Sequence, residues 1–179
     1  MLILLGKSGS GKDTIANFLV DHCGYRRIIT YTTRPIRSGE IQDVQYHFIS
    51  DEEFQEKLSH GFFLEYKVYH TEFGDWYYGS AKEDFEKADY NTLVILTPEG
   101  YLDLLWNMKE ITHDAVYIKV DVEELQRRLK ERGDDELESI RRLAHDNKDF
   151  EFVEDIVDRV VVNQGKTIEE VVYDEILRM

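Results

Sequence analysis

Cysteine and proline are nearly absent from this sequence. Cys23 is the only cysteine in 179 residues, which excludes an internal disulfide and a cysteine-rich metal site. Two prolines and eleven glycines leave no material for a long flexible linker. Apolar runs are short. None reaches the ~18 residues that a membrane span needs, and no charged-then-apolar leader is present. The opening Met1-Leu2-Ile3-Leu4-Leu5 is too brief for either role, so a cytoplasmic protein with no membrane partner is the expectation. Positive charge is scarce too: 22 Lys and Arg stand against 37 Asp and Glu, a formal charge of -15. A nucleic-acid polymer requires a basic footprint and is not an expected partner. A small phosphorylated ligand senses only the local field and stays open.

What is present suits one folded domain. Hydrophobic residues make up 42% and aromatics 12%, enough for a core at this length. Leu2–Leu5, Thr92–Leu96, Ala115–Val120 and Arg159–Val162 read as buried strands, rich in aliphatic and β-branched residues. Helical patterns cover Asp13–Asp21, Glu99–Met108, Val122–Arg132, Glu136–Phe150 and Ile168–Leu177. This alternation predicts an α/β fold, a mainly parallel sheet with helices on both faces. From about Thr30 to Phe85 the rhythm changes to short aromatic-rich segments, with a helix at Asp51–Ser59. That stretch reads as a small, more antiparallel insertion. The expected organisation is a core of 1–29 and 90–179, an insertion of about 30–89, and a short inserted element in "RGDDELE".

The strongest local signal is Gly6-Lys7-Ser8-Gly9-Ser10-Gly11-Lys12, which matches G-x-x-x-x-G-K between an apolar strand and an amphipathic helix. Glycines allow consecutive backbone N–H groups to turn inward as an anion nest, and Lys12 can reach the β- and γ-phosphates of a nucleotide. Asp13 then replaces the usual metal-binding serine or threonine. A carboxylate ~4 Å from a phosphate charge costs about 4 kcal/mol at an effective dielectric of ~20. It must therefore be turned away, neutralised by Lys12, or bridged to phosphate by a cation. An acid in a helix's first turn also favours the macrodipole. Thr14 still offers a hydroxyl.

A basic island follows. No acidic residue lies between Asp21 and Glu40, while Arg26, Arg27, Arg34 and Arg37 fall there, with the hydroxyls of Thr30, Tyr31, Thr32 and Thr33 packed around Arg34 and Arg37, three apart. Arginine forks match phosphate oxygens bidentately, and a second phosphate site is the reading this supports.

"TTRPIRSGEIQDVQYHF" resembles the guanylate kinase signature through Thr32, Thr33, Arg34, Arg37, Glu40, Tyr46 and Phe48, with Asp43 where the family usually has glycine. "FFLEY" (62–66), "DWYYGS" (75–80), "RRLKERG" (127–133), "ESIRRL" (138–143) and "DRVVVN" (158–163) resemble further motifs of that family in order. The resemblance implies a P-loop kinase core with a monophosphate-binding insertion, and it extends the "RGDDELE" element to a lid of about 132–142. It implies transfer of the γ-phosphoryl of ATP, carried with Mg²⁺, to GMP or dGMP. The ATP side would comprise Gly6, Ser8, Gly9, Ser10, Gly11, Lys12, Asp13, Thr14 and Asn163, the last on adenine. Arg34, Arg37, Tyr46 and Tyr78 would hold the acceptor phosphate. Thr30, Glu65, Ser80 and Thr97 would meet its base, with Glu65 accepting from the ring N–H and the exocyclic amine. Lys12, Arg128, Arg132 and Arg142 would surround the transferring phosphoryl.

The resemblance breaks at "ILTPEG" (95–100), where the family reads L-D-x-D-x-Q-G. Ile95 and Thr97 replace two aspartates. Thr97 weakens the contact to guanine's amine, so a monophosphate kinase with another or relaxed base preference is an alternative. A catalytically silent phosphopeptide-binding module is a third reading, opposed by the retained loop glycines, Lys12 and lid arginines. The lost strand acid also suggests that Asp13 orients water on the magnesium, with Glu99 as a competing candidate.

Overall fold

A computed structural model describes residues 1–37, 39–71 and 74–178. The chain divides into two compact units: Met1–Arg27, Tyr90–Glu99 and Thr112–Met179 form the first, Ile28–Asp89 and Gly100–Ile111 the second.

The first unit is built on a five-stranded sheet of β1 (Leu2–Leu5), β2 (Arg26–Arg27), β7 (Thr92–Ile95), β8 (Asp114–Lys119) and β9 (Arg159–Val162), in the order β2-β7-β1-β8-β9. Every pairing is parallel. A parallel sheet is covered on both faces, which is why its strands read as continuous aliphatic runs rather than alternating ones. Leu2 and Leu4 of β1, with Val116 and Ile118 of β8, share one core with Ile15, Ala16 and Leu19 of α1 (Lys12–Cys23) and Val171, Val172 and Ile176 of the C-terminal helix. Tyr117 points the other way, as the strand's period of two requires. Its ring meets that of Phe150, at the end of α6 (Glu136–Asp149), with centroids 5.6 Å apart. Helix α5 (Val122–Arg132) adds Leu125 and Leu129 to a satellite core with Val120 and Leu143.

Boundaries fall within two residues of the sequence pattern, and two features depart from it. Arg26–Arg27 is an edge strand that no apolar run marked, because its ladder rests on charged residues. The last helix is π-wound over Glu170–Ile176, with Leu177 N–H reaching back five residues to Val172 O at 2.8 Å. No helix among the described residues is long and apolar enough to cross a membrane.

The second unit carries a mixed four-stranded sheet in the order β4-β3-β6-β5. It comprises β3 (Tyr31–Thr32), β4 (His47–Phe48), β5 (Phe63–Thr71) and β6 (Gly74–Ala81). β3 pairs with β4 in parallel and with β6 antiparallel, and β5 and β6 are antiparallel. Helix α2 (Asp51–Ser59) starts where the Ser50 hydroxyl accepts the Glu53 N–H at 3.2 Å, and three acids in its first turn suit the macrodipole. Its Phe54 stacks on Phe63 of β5 at 4.3 Å. α3 (Lys82–Glu86), α4 (Pro98–Asn107) and the short α7 (Val153–Ile156) complete the elements.

Candidate functional site

In the first unit, β1 sits between β7 and β8, and the chain leaves it into the glycine loop. This is the switch point of the sheet, at the carboxyl ends of the strands, where open α/β sheets bind ligands. Parallel register carries Thr97 to the same edge: Leu4 pairs with Ile95, and Leu96 N–H donates to Leu4 O at 3.1 Å.

The loop is shaped by close approaches. A Cβ on Gly6 would lie 2.5 Å from Ser10 Oγ and 3.0 Å from Ile118 O. Gly11 is the N-cap of α1 at φ 92°, and a Cβ there would lie 2.5 Å from Asn163 Nδ2. Only glycine combines that left-handed turn with that contact. Ser10 N–H donates to Lys7 O at 3.0 Å, and Ser10 itself is buried. Its Oγ has no hydrogen-bond partner among the described residues.

Lys12 Nζ folds back to donate to Lys7 O at 3.2 Å. Burial pushes its pKa below the ordinary lysine value, against the raising pull of Asp13 and Asp146. Asp13 is therefore not held by Lys12 in a hydrogen bond. Its Oδ1 accepts from Arg27 Nη2 at 2.8 Å, a partner that none of the explanations open in the sequence named. Desolvation raises the Asp13 carboxyl, but the Arg27 and Lys12 charges outweigh it and hold the group below its usual value. Thr14 is exposed in the same turn.

Helices α5 and α6 close on this loop. Asn163, just after β9, donates through Nδ2 to Ser10 O at 2.8 Å, so the structure sets it on the loop backbone. Arg128 donates to Asn163 O at 2.8 Å and, at the 3.5 Å limit, to Gly9 O and Ser10 O. Its Nε is paired with Glu124 at 2.8 Å. Two consecutive α6 residues, unmarked by any motif, also reach the loop. Asp146 Oδ2 accepts the Ser8 N–H at 2.6 Å, and Asn147 Oδ1 accepts Lys7 Nζ at 2.7 Å. Arg132 and Arg142 share an acid: Arg132 binds Asp134 through two 2.6 Å hydrogen bonds, and Arg142 binds it at 3.0 Å and Glu138 at 2.9 Å.

In the second unit, Arg34 is 3% exposed and almost fully engaged. Its Nη2 and Nη1 fork onto Glu40 at 2.8 and 3.0 Å, and its Nε donates to the Tyr78 hydroxyl at 3.1 Å. The guanidinium lies over the rings of Tyr46 and Phe48, 5.6 and 5.5 Å from their centroids, a favourable use of the ring quadrupole. Partial burial raises the Glu40 carboxyl, yet the Arg34 hydrogen bonds bring it below its ordinary value. Glu40 also accepts the Arg37 N–H at 2.8 Å, which ties Arg34 and Arg37 to one carboxylate. Along the β5–β6 ladder Glu65 stands opposite Ser80, past an irregularity at Phe63, and accepts the Ser80 hydroxyl in a short hydrogen bond. Thr30 O accepts the His47 N–H at 2.9 Å.

Asp43 explains one departure from the motif. It adopts φ 65°, the left-handed region that glycine enters freely and aspartate tolerates. Its carboxylate accepts from Gln42 Nε2 at 2.9 Å and meets His47 Nδ1 at 2.6 Å.

The first unit thus gathers Gly6 to Thr14, Thr97, Arg128 and Asn163, and there Arg132 and Arg142 meet at Asp134. The second gathers Arg34, Tyr46 and Tyr78 in one cluster and Glu65 with Ser80 in another. Arg27, Glu40, Asp134, Asp146 and Asn147 are the additions. Of these only Glu40, six residues from Arg34, lay within a motif.

Comparison with known proteins agrees along the whole length. The family model described as guanylate kinase matches residues 1–175. A guanylate kinase from Sulfurimonas denitrificans is 34% identical over 171 residues, covering 92% of this chain and 80% of that one. One from Chlorobaculum tepidum is 33% identical over 182 residues, covering 96% and 89%. The crystal structure of guanylate kinase from Anaplasma phagocytophilum superposes with a TM-score of 0.71 at 28% identity, over 95% of this chain and 78% of that one.

Proposed function

The chain belongs to the guanylate kinase family, and from that premise we propose that it transfers the γ-phosphoryl group of ATP to GMP, giving GDP and ADP. The observation that carries this reading is the glycine loop at the head of α1, with Lys12 inside it and Arg128 reaching the Gly9 and Ser10 carbonyls. A phosphopeptide-binding module has no use for either.

Phosphoryl transfer asks little covalent chemistry of a protein. Alignment and positive charge on the equatorial oxygens supply most of the catalysis. Loop amides and Lys12 would cradle the donor phosphates. Arg34, Arg37, Tyr46 and Tyr78 would hold the acceptor phosphate. Arg128, Arg132 and Arg142 would exchange their present carboxylate partners for phosphoryl oxygens, and closing of the lid would exclude water as a competing acceptor. No protein base is required. Magnesium enters as part of the ATP substrate. No three His, Cys, Asp or Glu side chains gather as a metal cage among the described residues. Asp13, exposed in the first turn of α1, suits one contact to a water of an ion that keeps most of its hydration shell.

A second reading keeps the chemistry and changes the base. Thr97, at the strand edge where the family carries an aspartate, supports it: a neutral hydroxyl contact is worth ~1 kcal/mol against ~1.5–3 for a charged one. The test is ADP release with Mg²⁺–ATP across the common ribo- and deoxyribonucleoside monophosphates. Preference for GMP or dGMP is expected. Preference for another base establishes the second reading, and absence of turnover with all acceptors refutes both.

A further inference from the structure

Asp13 stands directly beside the one lysine that the loop presents to phosphate. The nearest acid to a lysine is its natural counter-ion, and a Lys12–Asp13 pair would have to break before ATP could bind. In the structure the carboxylate meets Arg27 and the Lys12 ammonium meets the Lys7 carbonyl instead. We propose that Arg27 is a positioning residue for phosphoryl transfer: it holds Asp13 away from Lys12 and so keeps the Lys12 ammonium available to the donor phosphates. This rests on the proposed use of ATP and extends it to a residue outside every motif.

The fold dictates the meeting. All strands of the first sheet run parallel, so β2 ends at the same edge where β1 hands over to the loop. Helix α1 begins at that edge and returns the chain to the start of β2, closed by the Tyr25 N–H on Leu19 O at 3.2 Å. Residues side by side in a sheet share a face. Arg26 is level with Thr92 and donates to its Oγ1 at 3.0 Å. Arg27 is level with Leu93, which belongs to the core beneath α1, so its side chain goes to the α1 face. It reaches the first turn of α1 and meets Asp13 at 2.8 Å.

The two partners need each other unequally. The Arg27 side chain is 8% exposed and Asp13 57%. Nη1 of Arg27 is buried with no partner among the described residues, so Asp13 supplies its side-chain counter-ion. A guanidinium buried without a counter-ion is strongly unfavourable. Asp13 could instead turn to solvent or to Lys12. The pair therefore fixes the acid through the deeper partner. Lys12 is left with a neutral acceptor, the Lys7 carbonyl at 3.2 Å, which a phosphate oxygen replaces at small cost.

The test is a double-mutant cycle of Arg27→Leu and Asp13→Ser, with Arg27→Lys as the conservative control. Mg²⁺–ATP is titrated calorimetrically without acceptor, and KM values for ATP and GMP are measured alongside. Arg27→Leu is expected to weaken ATP about tenfold, the worth of one charged hydrogen bond, while leaving the KM for GMP within about twofold. In the Asp13→Ser background, where the acid is gone, Arg27→Leu is expected to change ATP affinity by less than about threefold relative to Asp13→Ser alone. In the wild-type background Arg27→Lys retains most of the affinity. A merely structural role for Arg27 would move both KM values and would weaken ATP as much with serine at 13 as without it. An equal effect of Arg27→Leu in both backgrounds, or unchanged affinity in Arg27→Leu, overturns the proposal. If Arg27→Leu does not fold, Arg27→Lys carries the decision, because loss of ATP affinity with the cation retained refutes it. Since calorimetry needs no acceptor, failure of the GMP assay and failure of this pair are distinguishable.

Discussion

Replacing Asp146 by asparagine isolates the charge that α6 places on the glycine loop. Asp146 Oδ2 lies 2.6 Å from the Ser8 nitrogen, and its charge is among those that raise the Lys12 pKa. A phosphate oxygen drawing on the same N–H would approach that carboxylate to about 5 Å, where two unit charges at an effective dielectric of ~20 repel by about 3 kcal/mol. Asparagine keeps an acceptor for the Ser8 N–H and loses the charge. Solvent and the other loop amides take up part of the repulsion, so about 1.4 kcal/mol is a reasonable remainder, a tenfold tighter Kd for ATP. Calorimetric titration of Mg²⁺–ATP measures it directly. The gain should shrink as salt rises, since the screening length falls from ~30 Å at ~0.01 M to ~3 Å at ~1 M. The alkaline arm of kcat/KM for ATP should also move to lower pH, because Lys12 loses an anion that favours its proton. ATP binding that is unchanged or weaker at low salt would refute the reasoning and leave Asp146 as a brace of the loop.

Other outcomes follow from single contacts. Gly11→Ala places a Cβ 2.5 Å from Asn163 Nδ2 at φ 92°. The left-handed turn alone costs roughly 1–2 kcal/mol, so the melting temperature should fall by about 4–8 °C in calorimetry for ~2 kcal/mol in a chain of this size. Glu138 is held down to about 2 by Arg141 and then Arg142, against partial burial. Its contribution is therefore complete above the ordinary value of 4.5 and is lost as pH falls toward about 2. After discounting for solvent screening the loss is about 1 kcal/mol, and Glu138→Gln should abolish that part of the acid transition followed by circular dichroism. Thr97→Asp should raise the ratio of kcat/KM for GMP over AMP by about tenfold, from the difference between a charged and a neutral contact. An unchanged ratio would remove Thr97 from base recognition.

The parts of this molecule that were legible from sequence are those whose physics is local. A glycine loop between an aliphatic strand and an amphipathic helix carries its own context, and Arg128–Glu124 is a helix pair four residues apart. Arg34 was visible because its partners Glu40, Tyr46 and Phe48 lie within one short stretch. Its fourth partner, the Tyr78 hydroxyl 44 residues on, became visible only through a second ordered motif. Asp146 and Asn147 had no such signal. They reach Ser8 and Lys7 across 138 and 140 residues, through the docking of α6, and no periodicity on that helix distinguishes them from solvated polar positions. The shared acid of Arg132 and Arg142 was hidden for the same reason, because Asp134 meets both only when α5 and α6 are folded against each other.

Asp13 shows how a local irregularity can have a non-local cause. From sequence it reads as compensation for acids missing at Ile95 and Thr97, an exchange between the loop and a neighbouring strand beside one metal. Its hydrogen-bond partner is a base on another strand, β2, itself unmarked because its side chains are charged. An acid in the loop would be a liability to a phosphate site if it could reach Lys12, and the buried Arg27 side chain on its edge strand would be a liability if it had no anion. Each removes the other's cost. The two positions then form one unit: losing either alone should harm the protein, and losing both should restore the commoner hydroxyl loop. An outer contact of Asp13 to magnesium would be compatible with its restraint by Arg27, because one carboxylate oxygen is enough for the arginine.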